Sequence, residues 1–113
     1  MEVRTEREDD VLVTTVNGRI DSATVSEFQH LMERAITDDI RRVIVDFGNL
    51  SYINSAGLRA VLVITKNLWT RNAKLALHSL QPSIQEVFSI AGFDKIIQVC
   101  ADKAEALDAT QEK

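Results

Sequence analysis

The sequence predicts an α/β domain: one central mixed β-sheet of four to five strands, with helices packed against it. Three observations carry this. Short β-branched, apolar runs alternate along the chain with segments whose apolar residues recur every three or four positions, a pattern that implies crossover connections between strands. One run, Val43-Ile-Val-Asp-Phe47, is nearly all apolar, which suits a central strand covered by helices. Only one proline and four glycines occur in 113 residues, which leaves the connections short and the domain compact.

The elements follow in order. Val3 to Arg7 alternates apolar or Thr residues with charge, as an exposed edge strand does, and Glu8-Asp9-Asp10 makes the hairpin loop. Val11 to Val16 is β-branched and apolar and is expected to stop at Asn17-Gly18, a pair that readily turns. Val25, Phe28, Met32, Ala35 and Ile36 form a helical stripe that Asp21, Ser22 or Thr24 can cap. After Val43–Phe47 comes a loop, and from Leu58 a second stripe runs through Val61, Leu62, Thr65, Leu68 and Trp69, with Arg59, Lys66 and Asn67 on the other side. Trp69 is expected at the core or its edge, and the helix ends near Arg71-Asn72. Lys74 to Leu80 reads as a strand. Pro82 or Ser83 opens a helix carrying Ile84, Val87, Phe88 and Ala91 that Gly92 stops. Ile96 to Cys100 is the last strand, and a short helix near Asp102 to Ala109 closes the chain. Residues 1–113 are expected to form a single domain, with Asp108 to Lys113 free to fray.

Composition narrows the function. Thirteen Lys and Arg against 17 Asp and Glu give a net charge of -4, so the electrostatics that track a phosphate backbone are missing and nucleic acid is not an expected partner. The lone Cys100 forms no internal disulfide and is most simply a small core hydrophobe. With no leader and no apolar run long enough to span a bilayer, the chain reads as cytosolic, without a membrane partner. No strand is followed by GxGxxG or GxxxxGK[ST], and no Cys or His pair has ligand spacing, so neither a cofactor nor a metal is expected.

The informative stretch is Leu50-Ser-Tyr-Ile-Asn-Ser-Ala-Gly-Leu58, between the clearest strand and the clearest helix. Asn54 or Ser55 would be the N-cap, accepting hydrogen bonds from the free amides of the first turn. Small Ala56 and Gly57 leave those amides accessible, and the positive helix end accommodates an anion attached to Ser55. In an arbitrary loop, capping alone would account for such residues. A serine hydrolase would want Gly where Ile53 stands, and His30, on a helix, and His78, in a strand, read as structural. Asp46, at a strand end, is expected to accept a hydrogen bond from a turn amide.

The stretch Leu50–Leu58 resembles the hallmark loop of the STAS family, written Asp-Ser-Ser-Gly-Leu or a near variant. Asn17-Gly18-Arg19-Ile20-Asp21 resembles that family's Gly-x-Leu/Ile-Asp turn, and Pro82 to Phe93 its late helix. The resemblance implies an anti-sigma factor antagonist that is not an enzyme. A partner that is both serine kinase and anti-sigma factor phosphorylates the loop serine, here Ser55, and a metal-dependent serine phosphatase removes the phosphate. The unmodified form captures the kinase and releases a sigma factor. Gly18, Asp21, Ser22, Asn54, Ser55, Ala56, Gly57, Leu58 and Arg59 are carried over as the partner-binding end. The family usually has Asp where Asn54 stands, so the cap is kept and a charge is lost. The alternative that the same resemblance allows is a ligand-sensing module, with a nucleotide or other anion bound at the helix start beside Ser55.

Overall fold

The computed structural model describes residues 1–111. It has the expected α/β architecture with six strands, not four to five: β1 (Glu2–Glu8), β2 (Val11–Ile20), α1 (Val25–Ala35), β3 (Arg42–Asp46), β4 (Leu50–Ile53), α2 (Ser55–Trp69), β5 (Lys74–His78), α3 (Pro82–Ile90), β6 (Gln98–Cys100) and α4 (Lys103–Ala109). A single 3-10 turn at Phe93–Lys95 precedes β6. The sheet order is β1-β2-β3-β5-β6, with β4 beside the far end of β2. Only β1 runs antiparallel, joined to β2 through the expected acidic hairpin, where Asp9 takes a positive φ of 57°.

β2 organises the sheet. Its first half, Val11 to Thr15, pairs in parallel with Arg42 to Asp46 of β3. At Gly18 the register shifts, and Gly18, Arg19 and Ile20 pair with Leu50, Tyr52 and Ile53 of β4. Asn17-Gly18 therefore does not end the strand, as expected from its turn chemistry; it forms an irregularity inside it. The φ of +101° at Gly18 is the conformation that glycine supplies without strain, and a Cβ there would stand 3.3 Å from the Met1 Cα. One strand thus passes from one parallel partner to the next, and β4 ends where α2 begins.

Alternation along the central strands separates two cores. Val43 and Val45 join Phe28 and Met32 of α1, Val61, Ile64 and Leu68 of α2, and Ile84 and Phe88 of α3 in the main one. Ile44 points the other way, into a smaller cluster with Val11, Ala76, Cys100 and Ala106 of α4. Cys100 is buried, as its reading as a core hydrophobe expects, and burial raises its thiol pKa. Trp69 departs from expectation: 46 % of it is exposed at the last residue of α2, where it lines an open cleft with Ala73, Leu75 and Ile96. The expectation of a frayed tail fails for residues 108–110. Asp108 and Ala109 belong to α4, and Thr110 is buried with its hydroxyl donating to Ala106 O at 2.9 Å; residues 112 and 113 lie outside those described. Among the described residues, no helix is long and apolar enough to cross a membrane.

Candidate functional site

Leu50-Ser-Tyr-Ile53 is a strand by its pairing with β2, and because Ser51 is skipped in that register, Leu50 and Ile53 are both buried while Ser51 and Tyr52 face out. Asn54 then turns the chain with extended backbone, φ −101° and ψ −178°. Its carboxamide oxygen accepts from Gly57 N at 3.0 Å, its own amide donates to Ile20 O at 3.2 Å, and its Nδ2 donates to Ser22 Oγ at 3.3 Å. One side chain thereby caps α2 and ties it to the loop that follows β2. Of the two cap candidates the structure selects Asn54, which leaves Ser55 as the first helical residue.

Ser55 is exposed, and no hydrogen bond of its hydroxyl is found among the described residues. Helix geometry leaves the amides of Ser55 and Ala56 without intrahelical acceptors, and the first turn of α2 contains no acidic residue. Two residues on, Gly57 is buried against the sheet. A Cβ there would stand 2.7 Å from Ile53 Cγ1 and 2.9 Å from Ile20 Cγ2, so glycine is what lets the helix start so close to the ends of β2 and β4. Leu58 is buried in the main core, whereas Arg59 is exposed and has no ion-pair partner among the described residues. Of the nine predicted residues, Gly57 and Leu58 therefore shape this end from beneath, and Ser22, Ser55 and Arg59 present their side chains to solvent.

Asp21 stands at the other side of the site. Its Oδ1 accepts from Ala23 N at 3.0 Å, and that amide, more than any other group, holds its carboxyl below the ordinary carboxylate range. Thr24 accepts from Asp21 N at 2.9 Å and donates to Arg19 O at 2.8 Å, closing the turn before α1. Among Asp21, Ser22 and Thr24, Thr24 occupies the N-cap position, but its side chain caps no helical amide.

Two residues were given no role by the sequence reading. Arg19 lies 4.3 Å from the ring centroid of Tyr52 and 3.5 Å from Asp21 Oδ2, so an exposed cation, an exposed aromatic ring and a carboxylate form one continuous rim beside Ser22 and Asn54. Period-two alternation would have placed Tyr52 on the buried face with Leu50; it faces out because the register with β2 skips Ser51, which the sequence of this segment does not signal.

Among the described residues, neither histidine is hydrogen-bonded to Ser55. Among the described contacts His78 Nδ1 pairs with Ser79 Oγ at 2.8 Å, while burial lowers the His78 pKa, and His30 lies on the exposed face of α1. Asp46 Oδ1 accepts from Gly48 N at 2.7 Å, the strand-end bond expected of it.

Comparison with known proteins agrees with this architecture. The STAS domain family model matches residues 2–106. A Bordetella bronchiseptica protein, BtrV, named as an anti-sigma factor antagonist, is 34% identical over 109 residues, covering 96% of this chain and 94% of its own. Among solved structures, an anti-sigma factor antagonist from Mycobacterium paratuberculosis superposes with a TM-score of 0.89 at 20% identity, over 98% of this chain and 94% of that one. The Bacillus cell fate determinant SpoIIAA superposes in its unphosphorylated form with a TM-score of 0.80 at 23% identity, over 96% and 95% of the two chains. Its phosphorylated form gives 0.72 at 22% identity, over 96% and 98%.

Proposed function

Since the chain belongs to the STAS domain family, we propose that it is an anti-sigma factor antagonist whose binding is switched at Ser55. The observation that supports this most is the division of labour at the start of α2: Asn54 does the capping, and the neighbouring Ser55 keeps an exposed hydroxyl with no structural task. In this reading the unmodified chain docks an anti-sigma factor that is also a serine kinase, through the end of the molecule that carries Arg19, Ser22, Tyr52 and Ser55, and a sigma factor is released. The kinase transfers the γ-phosphate of ATP to Ser55 Oγ and takes up the hydroxyl proton or passes it to solvent. A metal-dependent serine phosphatase reverses the modification. Binding is the activity, and a switch driven by ATP operates in the cytoplasm.

The phosphate acts where it stands. It adds about two negative charges to a docking surface shaped for a neutral serine, and leaving such a group poorly paired in an interface costs a few kcal/mol, enough to lower affinity by roughly a hundredfold. The start of α2 itself accommodates the anion, so the fold has no reason to rearrange. The relatives support the reading from outside: BtrV is named as an antagonist of this kind, and SpoIIAA is known in both phosphorylation states.

The test is incubation with an anti-sigma factor kinase of the same organism and ATP, followed by intact mass and phosphopeptide mapping. One phosphate, on Ser55, is expected. Ser55→Ala should bind the kinase constitutively and Ser55→Asp weakly. A label on Ser51 or Ser22 with Ser55 clean, or both variants binding as the wild type does, removes the proposal; nucleotide bound by the unmodified chain with Ser55 untouched points to a ligand sensor instead.

A further inference from the structure

Ser55 and Arg59 are four residues apart on α2, both exposed, and Arg59 has no ion-pair partner among the described residues. On an α-helix that spacing stacks the two side chains on one face, about 6 Å apart along the axis. Side chains also lean toward the helix N-terminus, so a guanidinium at 59 extends back over the turn that begins at 55. A cation in this place is otherwise unfavourable: it sits near the positive end of the helix dipole, and the first turn of α2 has no acid to offset it.

We infer that Arg59 is the intramolecular counter-ion of the phosphate on Ser55, a positioning residue that clamps the modified side chain against α2. This rests on the proposed phosphorylation of Ser55 and adds a consequence to it. Phosphorylation does not only place negative charge on the docking surface; it also withdraws the Arg59 guanidinium, unpaired among the described residues, from whatever acidic group of the partner it meets in the unmodified state. The planar guanidinium fork can engage two phosphate oxygens at once, which holds the group in one orientation.

The other charged groups at this end leave Arg59 available. Arg19 and Asp21 are bridged to each other at 3.5 Å, Glu27 lies in the first turn of α1, β4 contributes no ionisable side chain other than Tyr52, and Glu86 of α3, the helix packed on β4, makes no ion pair with Arg59 among the described residues.

The phosphate reports its own surroundings, because a clamped guanidinium favours the dianion and lowers its second pKa from the usual value near 6. Phosphoserine is placed at position 55 during synthesis of the full chain, in the wild-type background and in Arg59→Gln and Arg59→Lys, and the second ionisation is followed by ³¹P NMR at low salt. The wild type should titrate about half a pH unit below Arg59→Gln, with Arg59→Lys between them. The gap should narrow in high salt, as for any partly exposed pair. Identical titrations of wild type and Arg59→Gln overturn the inference. So does a gap that is also present in the backbone amide spectra of the unphosphorylated proteins, since that would mark a structural change and not a counter-ion. No kinase enters this measurement, so the pairing and the biological use of Ser55 can fail separately.

Discussion

Gly57→Ala sets two familiar rules against each other. In an ordinary helix interior the change gains about 1 kcal/mol, because alanine loses less backbone entropy than glycine. Here the new methyl would stand 2.7 Å from Ile53 Cγ1, 2.9 Å from Ile20 Cγ2 and 3.2 Å from Ile53 Cδ1. Both isoleucines are almost completely buried, at 3% and 0% exposure, so neither has free space to move into. Overpacking of this kind costs about 1–3 kcal/mol. If α2 lifts to relieve it, the Gly57 amide leaves Asn54 Oδ1, 3.0 Å away, and a cap of about 1 kcal/mol is weakened. The net expectation is destabilisation by about 1–2 kcal/mol. With a urea slope of about 2 kcal/mol/M, the middle of the usual range for small domains, the denaturation midpoint should fall by roughly 0.5–1 M. In an Ile53→Ala background the penalty should shrink, since two of the three crowded atoms are gone. A midpoint that stays put or rises on Gly57→Ala refutes the argument that close packing against β2 and β4 fixes this residue.

The other predictions concern the cap and a buried histidine. Asn54→Ala should cost about 1 kcal/mol by losing the Gly57 bond, along with its tie to Ser22, whereas Ser55→Ala, whose hydroxyl has no partner among the described residues, should stay within about 0.5 kcal/mol of the wild type in the same urea assay. If Ser55→Ala is the more damaging of the two, the cap assignment is wrong. Burial lowers the His78 pKa below its ordinary value of 6.5, so the folded chain holds fewer protons than the unfolded one. Stability should therefore be full above the unfolded value and decline as the pH falls from about 6.5 toward the folded pKa, then level off. His78→Gln should remove that part of the decline, and unfolding midpoints at pH 5 and 7.5 decide it.

Local chemistry made most of this molecule legible in its sequence. The stripes of α1 and α2 and the apolar run of β3 are periodic within their own length, and Gly92, with its φ of 77°, ends α3 as its position suggests. The cap was legible too, because Asn54 or Ser55 directly before the apolar stripe of α2 is a favoured N-cap. What remained hidden depends on partners distant in sequence. β4 is four residues long and pairs with nothing but the end of β2, some thirty positions earlier, so its reading as a loop missed a strand that exists only by long-range pairing. The same pairing explains Asn17-Gly18: turn chemistry was present, but the strand continues because β4 offers new hydrogen-bond partners past it. Trp69 follows the helical period and still faces water, since periodicity gives the direction of a side chain and not the extent of the surface it meets.

The division of the interior into a large and a small cluster gives the molecule two ways to open. α4 rests on Val11, Ile44, Ala76 and Cys100 through Ala106, and Arg42 latches it from β3 by donating to Leu107 O at 2.6 Å. With Leu107 and Ala109 adding only partly buried contacts, this seven-residue helix is expected to open at a lower free energy than the main core. Such opening would uncover Cys100, a thiol buried beneath α4 whose pKa burial raises. The cysteine is thus a clock for the far face of the sheet: its rate of alkylation counts the departures of α4, independently of what happens at the start of α2.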